Sequence, residues 1–236
     1  MGRPYKIILV RHGESVGNVD KSVYETMPDW RIPLTDKGKD QALKAGYKIA
    51  DIVAPYYHAF GPPVYPWAPP TAFYVSPWTR TRQTYEVIRQ TMDRLATGCK
   101  MYEDPRLREQ EWGNYQTEEA LKKVWKERDG FGKFFYRMPD GESGADVYNR
   151  VSTFLESLHR DFQKKNFPET CIIVTHGLTM RVLLMRWFHW SVEEYDSLCN
   201  PPNGGIVVMR YEDQEEKYFL DTKLRKKKLP YKEIPS

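Results

Sequence analysis

Residues 10 to 18 read Val-Arg-His-Gly-Glu-Ser-Val-Gly-Asn and close the apolar run Ile7-Ile8-Leu9-Val10. A short continuous aliphatic run is the pattern of a strand covered on both faces. Arg11 and His12 therefore sit at the rim of a core. Two groups able to carry positive charge cost free energy there unless they find partners. Either the protein satisfies them from within, or an anion comes to meet them.

The motif has an echo. The run Cys171-Ile172-Ile173-Val174 is followed by Thr175-His176-Gly177, so two buried strands each finish in His-Gly. In open α/β sheets, ligands bind beyond the carboxyl ends of the strands, near helix N-termini. If the two strands are neighbours, His12 and His176 face each other across one pocket. The glycines allow a sharp turn and a close ligand.

Further strands are expected at Tyr5 to Val10, Ala72 to Val75 and Ile206 to Tyr211. Between them lie helical patterns. Thr35 caps a helix running to about Ala54, with Leu43, Tyr47, Ala50 and Ala54 along one side. Pro77 occupies a first helical turn, and that helix reaches about Leu95. Ser143 with Asp146 resembles a capping pair, ahead of an apolar stripe of Val147, Val151, Phe154, Leu155, Leu158 and Phe162. Met180 to Phe188 reads as a buried helix. Strands alternating with helices predict an α/β fold, a central mostly parallel sheet flanked by helices on both faces. One domain is expected over residues 1–221, interrupted at 54–70 by an insertion with six prolines among aromatics, which can be neither regular helix nor strand. A basic tail, 222–236, is read as solvated and partly disordered.

The Ala72-to-Val75 strand runs into Ser76-Pro77-Trp78-Thr79-Arg80, with Arg80 about one turn into its helix. Arg11, Arg80, His12 and His176 would repel one another if empty, but suit a phosphate, whose several oxygens match forked donors. Neutral imidazole is also a phosphoryl acceptor near neutral pH. A proton donor for the leaving group is offered by Leu107-Arg108-Glu109-Gln110-Glu111-Trp112-Gly113, where Glu109 is preferred over Glu111.

These blocks resemble the histidine phosphatase superfamily, which includes the cofactor-dependent phosphoglycerate mutases. Arg11-His12-Gly13-Glu14 with Asn18 looks like its signature. Leu34-Thr35 with Gly38, Ser76 to Arg80 with Gln83-Thr84, Leu107-Arg108-Glu109, Gly141-Glu142-Ser143 and His176-Gly177 follow in the same order, spanning roughly residues 5 to 210. The resemblance implies a phosphoglycerate mutase-like fold and a set of roles. His12 is the nucleophile that becomes phosphorylated. Arg11, Arg80 and His176 hold the phosphoryl oxygens, Asn18 contacts phosphate, and the Gly177 backbone forms the pocket wall. Glu109 is the general acid. Family members need no metal, the sequence shows no metal-ligand cluster, and no cofactor is expected for this chain. Glu14 and Glu142 are read as structural, and His58, His159 and His189 as surface or core residues.

Phosphatase and mutase share the phosphohistidine step. A mutase must exclude water and retain a bisphosphate. The mutases carry Leu-Asn-Glu-Arg-His-Tyr-Gly where this chain has Leu107 to Gly113, with Glu111 replacing a basic position. The stretch from Glu109 to the Gly-Glu-Ser block is short for a mutase lid. A phosphomonoesterase is therefore expected, with Trp112, Tyr115 and the proline loop forming an apolar rim. A phosphoglycerate mutase is the second reading. A phosphate-recognising scaffold is the third, and the intact set of Arg11, His12, Arg80, Glu109 and His176 weighs against it.

Composition narrows the partners. The 236 residues carry a formal net charge of +4, too slight an excess to argue for nucleic acid but compatible with a small phosphorylated substrate. Three separated cysteines indicate neither a disulfide framework nor zinc. No apolar run reaches membrane-span length. A cytoplasmic setting without a leader is expected, with the basic tail as a possible nuclear-import or phosphoinositide patch; oligomeric state leaves no mark.

Overall fold

A computed structural model describes residues 3–53, 70–92, 99–113 and 118–227. The proline-aromatic insertion (except Pro70), Tyr115, the expected helix ends at Ala54 and Leu95, and residues 228–236 lie outside the described residues. Six strands form one sheet: β1 (Lys6–Arg11), β2 (Thr71–Val75), β3 (Lys100–Glu103), β4 (Thr170–Thr175), β5 (Ile206–Glu212) and β6 (Lys217–Leu220). Their order is β3-β2-β4-β1-β5-β6. The first four pair in parallel, and β5 and β6 add antiparallel pairs at one side. The sheet is thus mostly parallel, as expected, with two further edge strands. β3 has every residue exposed, so it lacks the buried run that marks a central strand.

Alternation along the strands sorts the core into two layers. Ile7, Leu9, Tyr74, Cys171 and Ile173 point to one face, where α6 (Gly144–Phe162) and α7 (Gly177–Phe188) pack. Ile8, Val10, Phe73, Val75, Ile172 and Val174 point to the other, under α3 (Asp36–Val53) and α4 (Thr79–Met92). Helices therefore cover both faces, and the aliphatic runs are continuous because neither face meets water.

The helix starts obey local chemistry. Thr35 Oγ1 accepts from Gly38 N at 3.0 Å, capping α3. Ser143 and Asp146 form a reciprocal capping box on α6, a device worth about 1 kcal/mol. The apolar side expected for α3 is corrected. Leu43 and Tyr47 are 38% and 58% exposed, whereas Ala42, Ala45 and Ile49 are buried with Ala50. The cause is a close crossing on α4: a Cβ on Gly46 would lie 2.2 Å from Thr91 Oγ1. Small residues face the partner helix, and large ones are turned outward. Pro77 is also corrected: it precedes α4, which starts at Thr79, so Arg80 lies in the first turn. α7 begins at Gly177, directly after His176 and three residues ahead of the expected start.

The short helices α1 (Val16–Val19), α2 (Val23–Thr26) and a 3-10 turn at Asp29–Arg31 link β1 to α3. α5 (Glu118–Phe131) precedes α6, and α8 (Val192–Ser197) follows α7. In the described part of the basic tail Lys223, Arg225 and Lys226 are exposed, while the backbone is anchored. Cys199 N donates to Arg225 O at 2.8 Å and Lys227 N to Ser197 O at 2.7 Å, tying the segment to the end of α8.

Candidate active site

Register places the two His-Gly corners side by side. Arg11 is opposite Thr175 in the parallel β1–β4 pair, and His12 N donates to Thr175 O at 3.0 Å. His12 and His176 then follow on neighbouring strands. Their ring centroids are 5.1 Å apart at 63°, and both residues are buried. β2, on the other side of β4, delivers Ser76, whose Oγ is 2.8 Å from His176 Nε2.

The hydrogen bonds fix the His12 tautomer. Its Nδ1 is 2.7 Å from Gly13 O. A carbonyl only accepts, so Nδ1 carries the proton. Nε2 is left with its lone pair and accepts from Arg80 Nε at 3.3 Å. Burial pushes the His12 pKa well below 6.5, and Arg80 and Arg11 push the same way. His176 is likewise held well below 6.5 by burial, with Arg80, His12, Arg150 and Arg11 adding to it. Both imidazoles are neutral at physiological pH.

The arginines are aimed by backbone and carboxylate. Arg80 Nη1 donates to Asp29 O and to Asp29 Oδ1, each at 2.8 Å. Arg11 Nη1 donates to Pro201 O at 2.6 Å. Two buried polar atoms here, Arg11 Nε and His176 Nδ1, have no hydrogen-bond partner. Such orphans are costly, and they lie in the one cluster that an anion would complete.

The glycines serve closeness rather than turning. Neither Gly13 nor Gly177 has positive φ. A Cβ on Gly13 would lie 2.1 Å from Gly38 O, and one on Gly177 would lie 2.9 Å from Asn200 Cγ and 3.1 Å from Arg11 Nε.

Glu109 stands at the N-terminus of α7. Its carboxylate accepts from Leu178 N at 3.3 Å, Thr179 N at 3.2 Å and Thr179 Oγ1 at 3.1 Å. It therefore borders His176, the residue that precedes the helix. Glu111 instead pairs with Arg108 at 3.0 Å. Glu142 explains the Gly-Glu-Ser block: it binds Arg108 at 2.6 Å and Arg150 at 2.9 Å. Arg150 in turn donates to Arg106 O, Arg108 O and Glu109 O. Glu142 and Arg150 thus hold the loop that presents Glu109.

Asn18 sits at the rim, and its Oδ1 is engaged. It accepts from Ser15 N at 3.0 Å in the α1 capping box and from Asn203 Nδ2 at 2.8 Å. Glu14 pairs with Lys37 at 2.7 Å outside the cluster, while His159 stacks on Trp187 and His189 ends α7, both remote from it. Asp29, Ser76, Pro201 and Asn203 were given no role by sequence reading. Asp29 and Asn203 lie in irregular segments, where no periodicity singles out a residue.

A cleft of about 840 Å³ is bounded by Asp29, Trp30, Trp78 and Trp112 among others. Among the described residues it meets the cluster only through Trp78, whose ring is 4.9 Å from that of His176, and Asp29, which binds Arg80; His12, His176, Arg11, Arg80 and Glu109 do not line it. Among the described residues, no group of three or more His, Cys, Asp or Glu side chains is placed to hold a metal ion. No described helix is long and apolar enough to cross a membrane.

A mostly parallel sheet that gathers two histidines and two arginines at its strand ends defines a phosphoglycerate mutase-like fold. The chain belongs to the histidine phosphatase superfamily, branch 1, whose family model matches residues 7–220. The phosphoglycerate mutase-like protein AT74 of Arabidopsis thaliana is 46% identical over 213 residues; the match covers 87% of this chain and 65% of that relative, so the chain spans about two thirds of its length. The broad-range acid phosphatase DET1 of Saccharomyces cerevisiae is 31% identical over 302 residues, covering 95% of this chain and 90% of its own length. Among solved structures, the mycobacterial glucosyl-3-phosphoglycerate phosphatase superposes with a TM-score of 0.64 at 19% identity, covering 92% of this chain and 98% of that one. That last likeness is one of fold.

Proposed function

We propose that the protein is a phosphomonoesterase acting through a phosphohistidine on His12. The observation that carries the reading is the fixed tautomer: Nδ1–H is tied to Gly13 O, and the Nε2 lone pair is presented to the arginine cluster. His12 Nε2 attacks phosphorus, and the ester P–O bond breaks. The Glu109 carboxyl gives its proton to the leaving oxygen. Arg11, Arg80 and His176 take up the charge on the non-bridging oxygens, and a Ser76 hydroxyl donating to His176 Nε2 leaves Nδ1–H free for this role. Gly177 lets the α7 backbone approach, and Asn18 closes the rim. Water then enters, Glu109 removes its proton, the water oxygen bonds to phosphorus, and the Nε2–P bond breaks to release phosphate. The scheme calls for no cofactor.

Hydrolysis is favoured over mutase chemistry because Glu111 occupies the block that is basic in the mutases and engages Arg108. The name of the yeast relative, an acid phosphatase, supports the same choice. We place one catalytic domain over 1–221.

The test is a panel of phosphate monoesters including 3-phosphoglycerate, followed for released phosphate and for 2-phosphoglycerate, with His12→Ala alongside. Phosphate release that depends on His12, without isomerisation, is expected. Isomerisation dependent on a bisphosphate primer would replace this reading with the mutase.

A further inference from the structure

The cleft that meets the histidine pair through Trp78 is lined by more carboxylates than arginines. Among the described residues its lining contains two arginines. Both are already committed: Arg82 to Glu103 at 2.6 Å, and Arg108 to Glu111 and Glu142 at 3.0 and 2.6 Å. Four carboxylates share that lining, Glu25, Asp29, Glu111 and Asp140. Asp29 is answered by Arg80. Glu25 and Asp140 have no ion pair among the described residues. A carboxylate or second phosphate held against this lining would meet Glu25 and Asp140 with both lining arginines already engaged; Arg31, outside that lining, lies over the Trp30 ring.

Four aromatic residues contribute to the remaining wall beside Met27 and three prolines. Tyr24, Trp30, Trp78 and Trp112 line the cleft. Trp78 connects the two halves of the site: its ring lies 4.9 Å from the His176 ring and 4.5 Å below the Arg80 guanidinium. Trp78 thus sets indole surface between the histidine pair and the cleft, which His12, His176 and Arg80 do not themselves line. Trp30, 47% exposed, also lines the cleft, with Arg31 over its ring at 4.7 Å.

We propose that the substrates are phosphate monoesters of uncharged, aromatic or bulky apolar alcohols, with the Trp30–Trp78–Trp112 cleft as the leaving-group subsite. The proposal rests on the phosphoester reading of the histidine pair. Aromatic surface supplies binding energy, and the unpaired carboxylates reject anionic tails.

The experiment compares esters of equally poor leaving groups, so that intrinsic reactivity does not decide. The kcat/KM for 2-phenylethyl phosphate is measured against that for 3-phosphoglycerate, in the wild type and in Trp30→Ala, Trp30→Phe and Glu25→Lys. A wild-type preference of about tenfold or more is expected, the range an apolar pocket gives. It shrinks severalfold in Trp30→Ala, returns in Trp30→Phe, and narrows in Glu25→Lys through better use of 3-phosphoglycerate. Equal or better use of 3-phosphoglycerate by the wild type overturns the substrate class and leaves the phosphatase reading standing. Turnover of neither ester removes the phosphatase reading. Calorimetric binding of 2-phenylethylphosphonate against 3-phosphonopropanoate then decides the subsite: tighter binding of the first, weakened by Trp30→Ala, supports it, and equal binding overturns it.

Discussion

The floor of the site and its wall are built by different means. The floor consists of residues one step beyond β1, β2 and β4, so the ladder that pairs Arg11 with Thr175 also sets His12 against His176. The wall is made of short helices, a 3-10 turn and corners, including Tyr24, Asp29, Trp30 and Trp112. A parallel sheet buried on both faces leaves little freedom in its floor. Short helices fix fewer backbone hydrogen bonds per residue and draw their order from tertiary contacts. The difference assigns chemistry to the floor and choice of leaving group to the wall. Changes to the floor should then cost turnover of every ester, and changes to the wall should reorder esters.

The largest effect is expected at His12. His12→Ala removes the nucleophile and should lower kcat by about 10⁴-fold or more on every ester, with the thermal transition little changed; retained hydrolysis would move the reaction to another group. Glu109→Gln comes next. Loss of a general acid costs roughly 10²- to 10⁴-fold, and the loss should be greater for alkyl than for aryl phosphates, because a poor leaving group needs the proton more. Equal loss on both, read from initial rates, would make Glu109 a positioning residue at the start of α7.

Gly13→Ala probes the floor without touching a reacting group. Its Cβ would meet Gly38 O at 2.1 Å, so His12 must shift. A displacement of about 1 Å costs on the order of 10²-fold, in kcat rather than KM. Activity equal to wild type would show that the floor is not closely fixed.

Much of the floor was legible because it follows from strict patterns. Ile7 to Val10 and Cys171 to Val174 are apolar runs that only a doubly covered strand explains, and each ends in His-Gly. The pairing of Ser143 with Asp146 is likewise short-range. What stayed illegible depends on contacts distant in sequence. β3 and β6 are edge strands without buried runs. Leu43 and Tyr47 fit a helical stripe, yet the close approach of Gly46 to Thr91 turned the helix the other way. Asp29 joins the site through Arg80, 51 residues along the chain, a distance over which no local rule operates.

The smallest effect is one of pH. His12 and His176 are held neutral with pKa values well below 6.5, whereas an unfolded histidine titrates near 6.5. The unfolded chain therefore binds protons that the folded pair refuses. This contribution to stability is complete above pH 6.5 and declines as pH falls through that value towards the folded pKa. Chemical denaturation between pH 8 and 5 should show the decline, and His176→Asn should flatten it. In the free protein, ¹⁵N spectra should keep His12 in the Nδ1–H tautomer at pH 6.

The most direct test is to quench the protein during turnover of a phosphate ester and ask where phosphate is bound. The account predicts protein-bound phosphate that survives base, is released by acid, and maps to His12 with a ³¹P signature of substitution at Nε2. Phosphate attached through Nδ1, attached to another residue, or never attached during demonstrable hydrolysis would contradict it.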